Sequence, residues 1–213
     1  MTVADYEPFV ERMIFRYEGN FCWNRSDPGG PTKFGVTCYD LAESMGKKMD
    51  SMARWAPIVR AMSLATADQI YKKKYATACQ FDKLKAGCDT VVFDFGVNSG
   101  PSRSIMHAQA IVRVNVDGVL GAKTLAAINA YDGAMFVNEL CDRRMKFLRG
   151  LGIFRTYGRG WTARVTDLRK YSLALQKPQP TALLALPEAK LRPIKNAYVK
   201  AYADEDLRRL TAA

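Results

Sequence analysis

Glu18, Asp27 and Thr32 are residues of this 213-residue chain whose types and spacing could do chemistry together. Val10, Ile14 and Glu18 stand at i, i+4 and i+8, which puts Glu18 on the apolar stripe of a helix read over 5–18. A carboxyl in the last turn of a half-buried helix is partly desolvated and sits near the negative end of the helix dipole. Both effects raise its pKa. An acid that must keep its proton at neutral pH, and then give it to a leaving oxygen, needs such a place. Asp27 and Thr32 follow within a Gly- and Pro-rich loop able to fold back over the helix end. A carboxylate and a hydroxyl facing a protonated acid can orient water or stabilise positive charge on a sugar ring, the requirements of glycosidic hydrolysis. From the residues alone two plainer readings stay open. Glu18 is equally a surface glutamate closing a helix, and Asp27 is good turn chemistry within Asp-Pro-Gly-Gly.

The elements that must position these groups read as mostly helical. The first helix is capped by Asp5, has Glu7 and Pro8 in its first turn, and meets a stop at Gly19. From Asn20 to Thr37 the composition turns to Asn, Asp, Pro and Gly with short aromatic pieces, which predicts an irregular loop or a small β-hairpin. Helical patterns resume at 38–46, 51–62 and Thr66–Ala78, the last capped by Ser63 or Thr66. Residues 86–99 are too long and too uniformly apolar for a surface strand and predict a buried helix ending near Gly100-Pro101. Further helices are expected at 102–114, 121–130, 133–150 and 161–176, with Asn115–Gly118 as a turn. Lys177–Pro180 reads as a linker, followed by a basic amphipathic segment over 187–210 in which Pro193 argues against one continuous helix.

Charge is unevenly distributed. The chain nets +11; residues 1–50 hold six basic and eight acidic side chains, whereas residues 141–176 hold nine and two. A basic back end suits a polyanion or an anionic surface, and equally a solvated face with no partner. Five cysteines, an odd number without a CxxC pair, signal neither a disulfide framework nor a zinc ribbon and fit free thiols made in a reducing cytosol. A single histidine, His107, excludes any site needing two. No metal or organic cofactor is implied. The N-terminus lacks the basic patch and apolar run of a secretory signal, and no apolar stretch is long enough to span a bilayer. The expectation is synthesis as a soluble cytoplasmic protein.

The block Tyr17-Glu18-Gly19-Asn20-Phe21, followed by Asp27-Pro28-Gly29-Gly30-Pro31-Thr32-Lys33-Phe34-Gly35-Val36-Thr37, resembles the signature of glycoside hydrolase family 108, whose members are N-acetylmuramidases found as phage endolysins and secretion-associated bacterial enzymes. The resemblance implies a lysozyme-like two-lobed fold, Glu18 as catalytic acid, and Asp27 with Thr32 as its partners. The family pattern has a second glycine where Asn20 stands and Asn-Asp near Trp23-Asn24, so Asp27 is the only acidic partner left in the loop. By analogy with phage-type lysozymes, inversion of the anomer is expected. Trp23, Phe34 and Tyr39 are candidates for sugar-ring contact, each equally readable as core. Lys33 and Gly35 complete the substrate-binding set within the motif.

Downstream, Val92–Pro101 and Asp117-Gly118-Val119-Leu120-Gly121-Ala122-Lys123-Thr124-Leu125 are similar to the peptidoglycan-binding module that follows the catalytic region in that family. Asn98 is a candidate sugar ligand there, with local capping as the alternative. The resulting division is a catalytic region over 1–88, a helical peptidoglycan-binding region over 89–176 packed as the second lobe, and a linker with a basic tail over 177–213. The expected partner is peptidoglycan, met by a monomer after release through a holin or a secretion system. The basic surface from Arg143 to Lys170, or the tail, would hold the chain on anionic envelope polymers or a membrane surface. The rival readings are a wall-binding protein of the same fold without turnover, and a nucleic-acid binder. The second has only the charge in its favour, since no nucleic-acid motif is present.

Overall fold

The computed structural model describes Tyr6, Phe9, Val10, residues 21–23 and residues 30–176. All belong to a compact unit spanning Met1–Gln176, while Lys177–Ala213 form a second unit outside the described residues. The expectations for the linker and the basic tail therefore lie outside them, as does most of the expectation for a first helix over 5–18. Tyr6 and Phe9 are helical, and these two with Val10 are buried, as the apolar stripe predicts.

Two short strands, β1 (Thr32–Lys33) and β2 (Val36–Thr37), pair antiparallel, with Thr32 opposite Thr37 and Lys33 opposite Val36. Phe34 and Gly35 form the turn at φ 51° and 73°. Positive φ at both central residues is the mark of a type I′ turn, whose twist matches that of the flanking strands. Thr37 then ends the hairpin and starts helix α1 (Cys38–Ser44) through a capping box. Its hydroxyl accepts from the Asp40 amide, and the Asp40 carboxylate accepts from the Thr37 amide.

Helix α2 (Met52–Ala61) and helix α3 (Leu64–Tyr71) follow, the latter capped by Ser63, whose hydroxyl accepts from the Thr66 amide. Where a single helix to Ala78 is expected, the chain passes at Lys72–Ala76 into a wider π-type turn. Tyr71 and Ala76 are both buried although five residues apart, and the wider turn lets both face inward, which about 3.6 residues per turn would not allow. A short 3-10 turn at Phe81–Lys83 leads into helix α4 (Cys88–Ser99).

Helix α4 is the axis of the larger helical part. Every residue from Cys88 to Gly96 is buried, because α4 packs against helix α5 (Pro101–Val112), helix α7 (Gly133–Arg149), helix α8 (Phe154–Leu175), the π-type turn and the 3-10 turn. Helix α6 (Ala122–Ala130) rests on α5. A cluster of rings joins distant pieces of chain. Phe9 lies 5.9 Å from Phe93 and 5.6 Å from Tyr171, and Tyr6 meets Phe81 edge-on at 5.3 Å. Burying each of these rings contributes about 1.5–3 kcal/mol, so Tyr6 and Phe9 are tied to α4, α8 and the 3-10 turn through their side chains.

Two details depart from or sharpen the sequence reading. Helix α8 begins at Phe154, well before 161, because Gly158 is a packing residue and not a breaker: a Cβ there would stand 2.7 Å from the Phe154 ring. The Asp117-Gly118 turn is held by a residue of α5. Gln109 accepts from the Asp117 and Gly118 amides at 3.1 and 2.9 Å and donates to the Asp117 carboxylate, the Val119 carbonyl and the Thr124 hydroxyl.

Candidate active site

Glu18 and Asp27 lie outside the described residues. The structure does describe the hairpin that carries Thr32, and the forces that fix it. Gly30 precedes the hairpin at φ 70°, and a Cβ there would be 2.9 Å from the Cys38 sulfur and 3.3 Å from the Met52 side chain. Glycine is required on both counts. Pro31 accepts from the Cys38 amide at 2.9 Å, tying the hairpin entry to the start of α1. Thr32 exchanges two backbone bonds with Cys22 at 2.8 and 2.9 Å, which adds a single bridge to the hairpin edge and brings the neighbouring Trp23 to it. The Thr32 hydroxyl is half-buried and donates to the Gly30 carbonyl at 3.2 Å, leaving its lone pairs for another donor.

Lys33 is committed to the scaffold. Its ammonium donates to the carbonyls of Arg60 and Met62 at 2.7 and 2.8 Å, at the C-terminal end of α2, where the last carbonyls have no partner within the helix. The same nitrogen lies 4.8 Å from the centre of the Phe34 ring. The Arg60 guanidinium, from that helix end, sits over the Phe21 ring at 4.1 Å. On the other side the Tyr71 hydroxyl donates to the Phe34 carbonyl at 2.8 Å. The turn is therefore fastened to α2 through Lys33 and to α3 through Tyr71.

These bonds bring Trp23, Thr32, Lys33, Phe34 and Gly35 into one hairpin region, with Tyr39 in the first turn of α1 directly after it and 44% exposed. Trp23 and Phe34 are half-buried. Asn98 belongs to a different element, the last turn of α4, where it is half-buried and accepts from the Ser99 hydroxyl at 3.1 Å. Phe34 holds a positive φ that costs a non-glycine residue about 1–2 kcal/mol, at a position flanked by the motif residues.

The model of the family described as Glycosyl hydrolase 108 matches residues 12–100. The solved structure titled "Structure of Brucella abortus SagA" is 38% identical with a TM-score of 0.71, covering 82% of this chain and 98% of that one. The chain belongs to glycosyl hydrolase family 108. As a family 108 protein it is a glycoside hydrolase, a lysozyme-like enzyme acting on peptidoglycan, with the mostly helical fold and small hairpin expected of it. None of the curated proteins matches. The family 108 match encloses Glu18, Asp27, Thr32 and the whole hairpin, and ends at Gly100 where α4 ends.

Two features of this family 108 chain escaped the sequence reading. Tyr71 is one, because a tyrosine on a helix face gives no sign of which carbonyl it will reach. The other is the buried cluster of Asp94 on α4, Arg144 on α7 and Arg164 on α8. Asp94 is fully buried, 2.6 Å from Arg144 and 2.9 Å from Arg164. Burial opposes ionisation of Asp94, but the Arg164 and Arg144 guanidiniums outweigh it and hold the carboxyl below the usual carboxylate range. A signal was present: Asp94 interrupts an apolar run, and Arg144 and Arg164 fall on apolar stripes of their helices.

Proposed function

We propose that this chain is an N-acetylmuramidase that hydrolyses the β-1,4 bond between N-acetylmuramic acid and N-acetylglucosamine. Glu18 protonates the leaving oxygen, and Asp27 with Thr32 orients water or stabilises the oxocarbenium-like transition state. Trp23, Phe34 and Tyr39 offer rings to sugar C–H faces, and Asn98 with the 89–176 helices extends the contact with the polymer. Lys33, bound to the end of α2, acts as a positioning residue. Release to the wall through a holin or a secretion system completes the picture.

The observation that carries this reading is the family 108 match over the block holding Glu18, Asp27 and Thr32, together with a hairpin fixed at both sides around Thr32 and Phe34. The decisive experiment pairs Glu18→Gln with mass spectrometry of digested peptidoglycan. Fragments ending in reducing N-acetylmuramic acid, formed by the parent and not by the variant, are expected. Reducing N-acetylglucosamine ends would name a different bond, and an equally active variant would remove Glu18 from the mechanism.

A further inference from the structure

Between Arg143 and Thr166 the chain carries seven Arg and Lys side chains and no Asp or Glu. Two of them, Arg144 and Arg164, are buried against Asp94. The other five, Arg143, Lys146, Arg149, Arg155 and Arg159, are exposed and form no ion pair among the described residues. They flank the turn at 150–153 that joins α7 to α8. At that turn Ile153 is 56% exposed, and one step into the helix Tyr157 is 55% exposed.

The apolar side chains are not scattered. Phe154, Tyr157 and Trp161 continue, at helical spacing, the stripe that farther along α8 is core at Val165, Leu168 and Tyr171. Tyr157 stacks on Trp161 at 5.8 Å and Phe154 meets it at 6.2 Å, with Phe154 laid down on Gly158. The apolar stripe of α8 thus runs past its buried part and emerges among unpaired cations.

We propose that this end of the molecule, the α7–α8 turn with the first two turns of α8, docks on an anionic phospholipid bilayer surface. Cations alone would suit any polyanion. Ile153 at the tip of a turn and a ladder of rings behind it gain nothing from a soluble polyanion, but they match the interfacial zone of a bilayer, where aromatic and aliphatic groups enter below a layer of phosphates. Each Lys or Arg near such a surface strengthens binding by about fivefold at low salt. The inference does not depend on which peptidoglycan bond is cut.

The test is co-sedimentation of the full-length chain with vesicles of phosphatidylcholine alone and of phosphatidylcholine mixed with phosphatidylglycerol. Binding to the mixed vesicles alone, weakening with salt, is expected. The double variant Ile153→Ser/Tyr157→Ser, its charge untouched, should bind about tenfold more weakly while keeping the parent's far-ultraviolet circular dichroism. Arg149→Glu/Arg155→Glu should abolish binding. Equal binding to the neutral vesicles overturns the proposal. So does unchanged binding of the Ile153/Tyr157 variant, which would assign retention to diffuse charge or to another segment, and so does tighter retention on duplex DNA than on the mixed vesicles.

Discussion

Arg144 approaches the Asp94 carboxylate to 2.6 Å with both side chains sealed from solvent. With Arg164 on the same carboxylate, three helices share one charge cluster. Removing the acid breaks both of these buried ion pairs, a loss worth about 3–5 kcal/mol. Asp94→Ala is therefore expected to lower the urea midpoint sharply, and a midpoint close to the parent's would contradict this account. The sign with pH also follows. A carboxyl held below its unfolded value of about 3.9 contributes stability above that pH and loses it as the pH falls through the depressed value. The gap between parent and variant should narrow in acid.

The buried thiols work in the opposite direction. Burial raises Cys79 and Cys88 to about 12 and Cys141 to about 11. Unfolded thiols ionise near about 8.5, so the stability from keeping these three neutral is whole below that pH and declines as the pH rises toward the folded values, by about 1.4 kcal/mol per pH unit for each thiol. Urea midpoints at successive alkaline pH values should fall accordingly and fall less in Cys79→Ala. With a thiol reagent near neutral pH, exposed Cys22 should react in the native protein and Cys79, Cys88 and Cys141 only after unfolding.

Gly87 stands at φ 79°, and a Cβ there would meet the Ser172 carbonyl oxygen at 2.4 Å. Backbone cannot move aside as a flexible side chain can. Gly87→Ala should cost roughly 2 kcal/mol or more by straining the turn and parting α4 from α8. A variant with unchanged melting temperature would show that this contact is slack.

Tyr71→Phe deletes the bond to the Phe34 carbonyl and keeps the ring. About 1 kcal/mol of stability should go with it. If the hairpin must be held still for catalysis, peptidoglycan turnover should drop several-fold while binding of the polymer changes little. A loss confined to binding would make Tyr71 part of the substrate surface.

The sequence was most informative where one local rule acted without competition. The apolar run at 86–99 could only be a buried helix, and α4 occupies Cys88–Ser99. The Gly- and Pro-rich stretch before Thr37 permitted a hairpin, and β1 and β2 form one. The motif also named Thr32, Phe34 and Gly35 by their place in it. What it could not reveal were partnerships across long sequence separations. Lys33 reaching the end of α2, Tyr71 reaching Phe34, and Gln109 organising a distant turn all depend on packing that no window of sequence contains. Gly158 misled for a related reason: a glycine that makes room for a ring looks, in sequence, the same as one that ends a helix.

At residue 34 the fold keeps a phenylalanine in a backbone state that asparagine or glycine would occupy with less strain. Anyone hardening this enzyme by consensus turn chemistry would choose Asn-Gly here and would gain melting temperature. The same change would take away an aromatic face beside Thr32. On the proposed contact of Phe34 with a sugar ring, durability and wall-cutting rate are set against each other at a single side chain, and Phe34→Asn measured on both axes would show how far apart they pull.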